Sequence, residues 1–214
     1  TEQFPVATSP TAHAVRPEEY VDMNNFYTTT VYNKGAEVVR MLRTLVGPDN
    51  FRKGTDTYFS RHDGAAVTCE ALVEAIAEQS DNVNPAQFMR WYSTVGQPVV
   101  TVATSYGAQA GRFTVTLSQS LRRHDGEAKL DPLVIPVVVG LIDSSGRDLP
   151  LHLEGETDAD KTQTSRVLIL DELQASFTFH SLPSSTEPPV LSLLRDFSAP
   201  VEVVWDEAPS VKSL

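Results

Sequence analysis

Residues 23–41 read MNNFYTTTVYNKGAEVVRM, and the rest of the chain is organised around them. A polar lead-in rich in Asn and Thr runs straight into an amphipathic helix. Val38, Met41, Leu42 and Leu45 recur at i, i+3, i+4 and i+7, so one stripe is buried. Tyr32 falls off that stripe in the first turns, with Gly35 and Ala36 one turn further along the same side. A glycine inside a helix costs roughly 1 kcal/mol against alanine. Its position beside a tyrosine predicts a close neighbour there; the plainer reading is a core tyrosine near a helix start with a tolerated glycine.

Outward from this stretch the helical pattern continues. The first helix is expected over residues 29–46 and stops at Gly47-Pro48. Asp49 is placed to cap a second helix whose apolar face includes Phe51, Tyr58 and Phe59 and which ends near His62-Asp63-Gly64. Thr68 is placed to cap a third, striped by Cys69, Leu72, Val73, Ile76 and Ala77. Asn84 followed by Pro85 marks a fourth start, with Phe88, Trp91, Tyr92 and Val95 inward and Gly96 at its end. These aromatic stripes read as core. Before residue 23, Pro5, Pro10 and Pro17 with little apolar periodicity predict an extended connector. His13 in that connector has no partner spaced to make it a ligand.

The period changes at Pro98. Runs such as Val99-Val100-Thr101-Val102 and Phe113-Thr114-Val115-Thr116-Leu117 are β-rich, and further short runs follow near residues 133–139, 149–153, 167–170, 176–179, 190–194 and 201–205. Regular turn signals between them predict an antiparallel sandwich rather than a parallel sheet. The polar residues 122–129 and Asp158-Ala159-Asp160-Lys161 read as loops. The predicted organisation is a helical part over 1–98, a β-sandwich over 99–206 and a tail or linker over 207–214.

Composition narrows the function classes. The 214 residues are 41% hydrophobic, enough for a core and against disorder. The net charge of −11 divides into 8 basic against 12 acidic residues up to Pro98 and 9 against 16 beyond it. Both halves are acidic, so no basic footprint for nucleic acid exists. No apolar run approaches the ~18 residues of a membrane span, and the start is neither basic nor apolar as a signal peptide would be. Cys69 is the single cysteine, which excludes an intramolecular disulfide and fits a reducing compartment; on its helix stripe it reads as inert filling. Thr1 is not a natural start and suggests a fragment boundary.

A metallopeptidase helix needs H-E-x-x-H, with two His at i and i+4 facing the metal and the Glu as general base for its water. None of His13, His62, His124, His152 and His180 is followed by Glu, and no two are four apart. No Ser/His/Asp order, P-loop or dinucleotide fingerprint appears either.

The run NNFYTTTVYNKGAEVVRM nevertheless resembles the segment that follows the zinc-binding helices in the aminopeptidase N family of gluzincin zinc aminopeptidases, the bacterial type in particular. The resemblance continues through Phe51-Arg52-Lys53-Gly54, residues 58–64, Arg90-Trp91-Tyr92-Ser93 and Gly96-Gln97-Pro98, and more weakly to Phe197-Ser198-Ala199-Pro200-Val201. It implies an α+β multidomain fragment: the helical C-terminal part of a thermolysin-like catalytic domain followed by an antiparallel Ig-like β-sandwich. It implies zinc and peptide substrates for a full-length parent, a cytoplasmic location, and no metal site in this chain, which is then expected to be inactive alone. It implies that Tyr32 donates its hydroxyl to the scissile carbonyl oxygen as the tetrahedral intermediate forms, that Tyr27 lines the pocket for the N-terminal side chain, and that Asn24 shapes the cleft. Asn33 departs from the Glu of many relatives; it lies on another helix face from Tyr32, so little consequence is expected. A cut through a catalytic domain leaves apolar helix faces uncovered, which predicts self-association. The rival reading is a non-catalytic helical and β-sandwich module that binds protein partners.

Overall fold

The computed structural model of the protein describes residues 3–156, 163–183 and 187–206. The tail expected over 207–214 and the loop at Asp158-Ala159-Asp160-Lys161 lie outside the described residues. The N-terminal part is helical. A short helix α1 (Gln3–Ala7) precedes a 3-10 turn (Met23–Phe26), a π turn (Thr30–Lys34) and α2 (Gly35–Val46). α3 (Pro48–His62), α4 (Cys69–Ala77), α5 (Pro85–Phe88) and α6 (Arg90–Ser93) follow.

The α2 stripe is as its periodicity demands: Val38, Met41, Leu42 and Leu45 are all buried. α3 departs from expectation. Its one buried residue is Gly54, Phe59 is exposed, and Pro48 at the first turn with Gly47 ahead of it takes the N-terminal place expected for Asp49. The reason is the neighbour. A Cβ on Gly54 would stand 2.5 Å from Ile76 Cα, so α3 lies backbone to backbone on α4. Thr68 precedes α4 without a side-chain cap, and Cys69 is half-buried rather than enclosed. The fourth helix is two short pieces broken at Met89, with Asn84 capping the first by accepting from the Gln87 N–H.

The connector is neither wholly extended nor loose. Ala7 and Val15 are buried, the Arg16 N–H donates to the Tyr92 carbonyl, and the Arg16 side chain pairs with Glu70 on α4. His13 is bonded locally, its Nδ1 2.8 Å from the Ala14 carbonyl oxygen.

The second part is a sandwich of two sheets. One has the order β5–β7–β2–β1–β9, with β3 also on β2; the other has the order β6–β4–β8. The strands are β1 (Gln97–Gly107), β2 (Arg112–Arg123), β3 (Gly126–Ala128), β4 (Ile135–Ile142), β5 (His152–Leu153), β6 (Arg166–Leu170), β7 (Gln174–His180), β8 (Val190–Ser192) and β9 (Glu202–Trp205). β2 alternates cleanly, with Phe113, Val115, Leu117, Gln119 and Leu121 inward. Two expectations need correction. The sheets are not wholly antiparallel, because β9 returns parallel to β1 from Val99↔Glu202 to Val102↔Trp205. The polar run at 122–129 is a hairpin, not a loop: β2 extends to Arg123 and β3 pairs back on it around Gly126.

β4 is buried on both faces because α2 packs on the sheet from outside the sandwich. The two parts therefore share one apolar core that runs from Val38 through Trp91 to Leu141. Trp91 Nε1 donates to the Val134 carbonyl at 2.8 Å, and the Gln119 side chain both accepts from the Leu133 N–H and donates to the Leu133 and Glu172 carbonyls. The Trp91 and Gln119 side chains at this joint are thus matched to backbone partners.

Candidate active-site segment

The lead-in to α2 is shaped by short-range bonds. Asp22 accepts the Asn24 N–H at 2.8 Å and caps the 3-10 turn over Met23–Phe26. Residues three apart on such a turn lie on one side, which aligns Asn24 with Tyr27 at its end. Thr28 starts the next helix: its Oγ1 accepts the Val31 N–H at 3.2 Å and its carbonyl accepts the Tyr32 N–H at 3.0 Å. The expected helix over 29–46 then forms, but its first turn is wound wide, as a π turn over Thr30–Lys34.

That turn sorts the side chains. Thr30 and Lys34 point inward and are buried, continuing the stripe of Val38, whereas Tyr32 is 60% exposed. The plainer sequence reading, a core tyrosine, is not what the fold does. The close neighbour expected at Gly35 is Val15, whose Cγ1 would lie 3.5 Å from an added Cβ, ordinary packing that an alanine also tolerates.

The structure brings Tyr27 and Tyr32 together, ring centroids 6.1 Å apart and tilted by 31°. Tyr27 also meets Phe26 edge-on at 6.2 Å, and Phe26 meets Tyr20 at 5.9 Å. Tyr20, Val21, Met23, Tyr27 and Tyr32 are all exposed, so a ladder of rings lines one side of the lead-in. Asn24 is exposed beside them. An apolar, hydroxyl-bearing surface of this kind can hold a hydrophobic side chain while presenting phenol donors.

Lys34 is a residue to which sequence reasoning gave no role. It is 1% exposed, and its Nζ donates to the Gly96 carbonyl at 3.1 Å. Burial pushes its pKa down to about 8. The signal was legible: Lys34, Val38, Met41, Leu42 and Leu45 follow one stripe. Arg40, one and a half turns further, is the second such residue; its Nη1 donates to the Asp196 carbonyl at 2.9 Å and its Nη2 to the Phe197 carbonyl.

Among the described residues no group of three or more His, Cys, Asp or Glu side chains could hold a metal ion. The donors present therefore do not fit a zinc site. Among the same residues no helix is long and apolar enough to cross a membrane.

Comparison with known proteins supplies the lineage. The family model "Domain of unknown function (DUF3458) Ig-like fold" matches residues 96–206, and "Peptidase family M1 domain" matches residues 2–92. Aminopeptidase N of Escherichia coli (strain K12) is 42% identical over 203 residues, covering 95% of this chain and 22% of that protein. Aminopeptidase N of Caulobacter vibrioides is 43% identical over 208 residues, covering 97% and 22%. The crystal structure of Legionella pneumophila aminopeptidase A in complex with aspartic acid superposes with a TM-score of 0.74 at 26% identity, covering 91% of this chain and 20% of that one. The chain thus spans less than a quarter of the length of these relatives. With its β-sandwich matched throughout and its helical part matched to a peptidase M1 domain, the chain belongs to the Ig-like family of that domain of unknown function and is a homologue of aminopeptidase N.

Proposed function

We propose that this chain is part of a zinc-dependent aminopeptidase that removes N-terminal residues from peptides, and that it supplies the oxyanion donor and part of the substrate pocket. The observation that carries this reading is the placement of Tyr32: a phenol held outward by an irregular turn, next to Tyr27, in a chain 42% identical to an aminopeptidase N.

The chemistry follows from the groups present. A phenol O–H is a hydrogen-bond donor. Aimed at a scissile carbonyl, the Tyr32 O–H strengthens its hydrogen bond as negative charge builds on that oxygen. A preorganised donor of this kind is worth about 10²–10³ in rate. The ring of Tyr27 takes the N-terminal side chain, and Asn24 shapes the cleft rim. The zinc ion that would activate the attacking water needs ligands from outside the described residues. The division into a helical part to about residue 98 and a sandwich beyond it belongs to the same proposal, as does a cytoplasmic location, which rests on the single Cys69 and the resemblance.

The test is Tyr32→Phe in the full-length enzyme. Turnover of an aminoacyl-arylamide should fall by about two to three orders of magnitude with zinc content unchanged. Near-normal turnover would remove Tyr32 from the mechanism.

A further inference from the structure

Resting on that functional reading, we propose that Lys34 is a positioning residue for Tyr32: its bond to the Gly96 carbonyl locks the π turn and so sets the direction of the phenol.

Three departures from an ordinary helix start fall within residues 30–35. The turn over Thr30–Lys34 is a π turn, a rare form that occurs frequently at functional sites. A lysine fills a core position of the α2 stripe, where an apolar side chain would pack at no electrostatic cost. Lys34 is also the N-cap residue of α2, a position where the helix dipole does not favour a basic residue. Local rules broken together mark places where geometry is used rather than merely tolerated.

The acceptor is itself rigid. Gly96 is buried, its φ is +123°, and a Cβ there would lie 2.8 Å from the Arg122 carbonyl oxygen. The next residue opens the β1–β2 ladder, with Gln97 opposite Arg122. Lys34 therefore ties the turn to the first hairpin of the sandwich. Tyr32 is two residues away within the same π turn, and the two side chains leave it on opposite sides, Lys34 buried and Tyr32 exposed, so a lysine drawn inward holds the tyrosine outward. Without the bond, the extra residue of the π turn is free to redistribute, and Tyr32 rotates away from its present direction.

The test is a double-mutant cycle in the full-length enzyme. Lys34→Met keeps the length and packing of the side chain and removes the donor. It should lower kcat by about 10²-fold, the scale of a misplacement of about 1 Å, with KM and zinc content little changed. In a Tyr32→Phe background the same change should add almost no further loss, because the group it positions is gone. Lys34→Gln, which keeps an N–H donor on a shorter stem, should fall between. Full additivity of the two losses, or an unchanged kcat in folded Lys34→Met, overturns the proposal. Loss of folding in both Lys34 variants assigns the residue to stability and also overturns it. An unchanged rate in Tyr32→Phe alone defeats the functional reading, an outcome distinct from a slow Tyr32→Phe with an unaffected Lys34→Met.

Discussion

Arg40 and Phe197 stand 157 positions apart in the chain and meet at the joint between α2 and the sandwich, the guanidinium carbon 5.9 Å from the ring centroid and Nη2 2.6 Å from the Phe197 carbonyl oxygen. The segment it grips is strained. Leu194, Asp196 and Phe197 all have positive φ, at 50°, 56° and 51°, which costs roughly 1–2 kcal/mol per residue for L-amino acids. Glu37, paired with Arg40 on the same helix, orients the guanidinium.

Removing this grip should loosen the joint. Arg40→Ala is expected to destabilise the chain by about 1.5–3 kcal/mol, the range for hydrogen bonds to a charged group. Arg40→Lys should recover only part of that, since an ammonium lacks the fork that serves two carbonyls. Urea unfolding measures both; an unshifted midpoint for Arg40→Ala would discharge this residue from the joint.

Gly54→Ala tests the contact between α3 and α4. Helix propensity alone predicts a gain of up to ~1 kcal/mol. The added Cβ would meet Ile76 Cα at 2.5 Å and the Ala75 carbonyl oxygen at 3.0 Å, backbone atoms that can yield only if the helices part. Overpacking of this kind costs about 1–3 kcal/mol, so Tm should fall. A rise in Tm would show that the helices separate freely.

Lys34 makes stability depend on alkaline pH. Burial disfavours the charged form and pushes its pKa down to about 8 from the ordinary lysine value of 10.5. Between those values the unfolded chain binds the extra proton, so stability rises as pH goes from about 8 to about 10.5, by roughly 3 kcal/mol in all. Lys34→Met should flatten that rise. A wild-type stability curve that is level or falling across this window would contradict the burial.

The isolated chain is expected to bind no stoichiometric zinc and to show no turnover. Metal analysis combined with an aminoacyl-arylamide assay decides this, and bound zinc accompanied by hydrolysis would overturn it. Its exposed aromatic ladder from Tyr20 to Tyr32 should also drive concentration-dependent self-association, read by sedimentation.

Much of the fold was legible because short-range patterns carry it. The α2 stripe, the Gly47-Pro48 stop, the alternation of β2 and the change of period at Pro98 are local, and local periodicity is what a buried face imposes on a sequence. The motif around Tyr32 was legible for the same reason, being contiguous. The absence of H-E-x-x-H was read directly.

What only the tertiary structure decided are relations between distant positions. The parallel return of β9 beside β1 and the bare-backbone contact of Gly54 with Ile76 each depend on a neighbour remote in sequence. So does the bond from Lys34 to Gly96, 62 residues on. A helical stripe tells which side chains face a core; it does not tell which carbonyl waits there, because that is set by how separate elements pack.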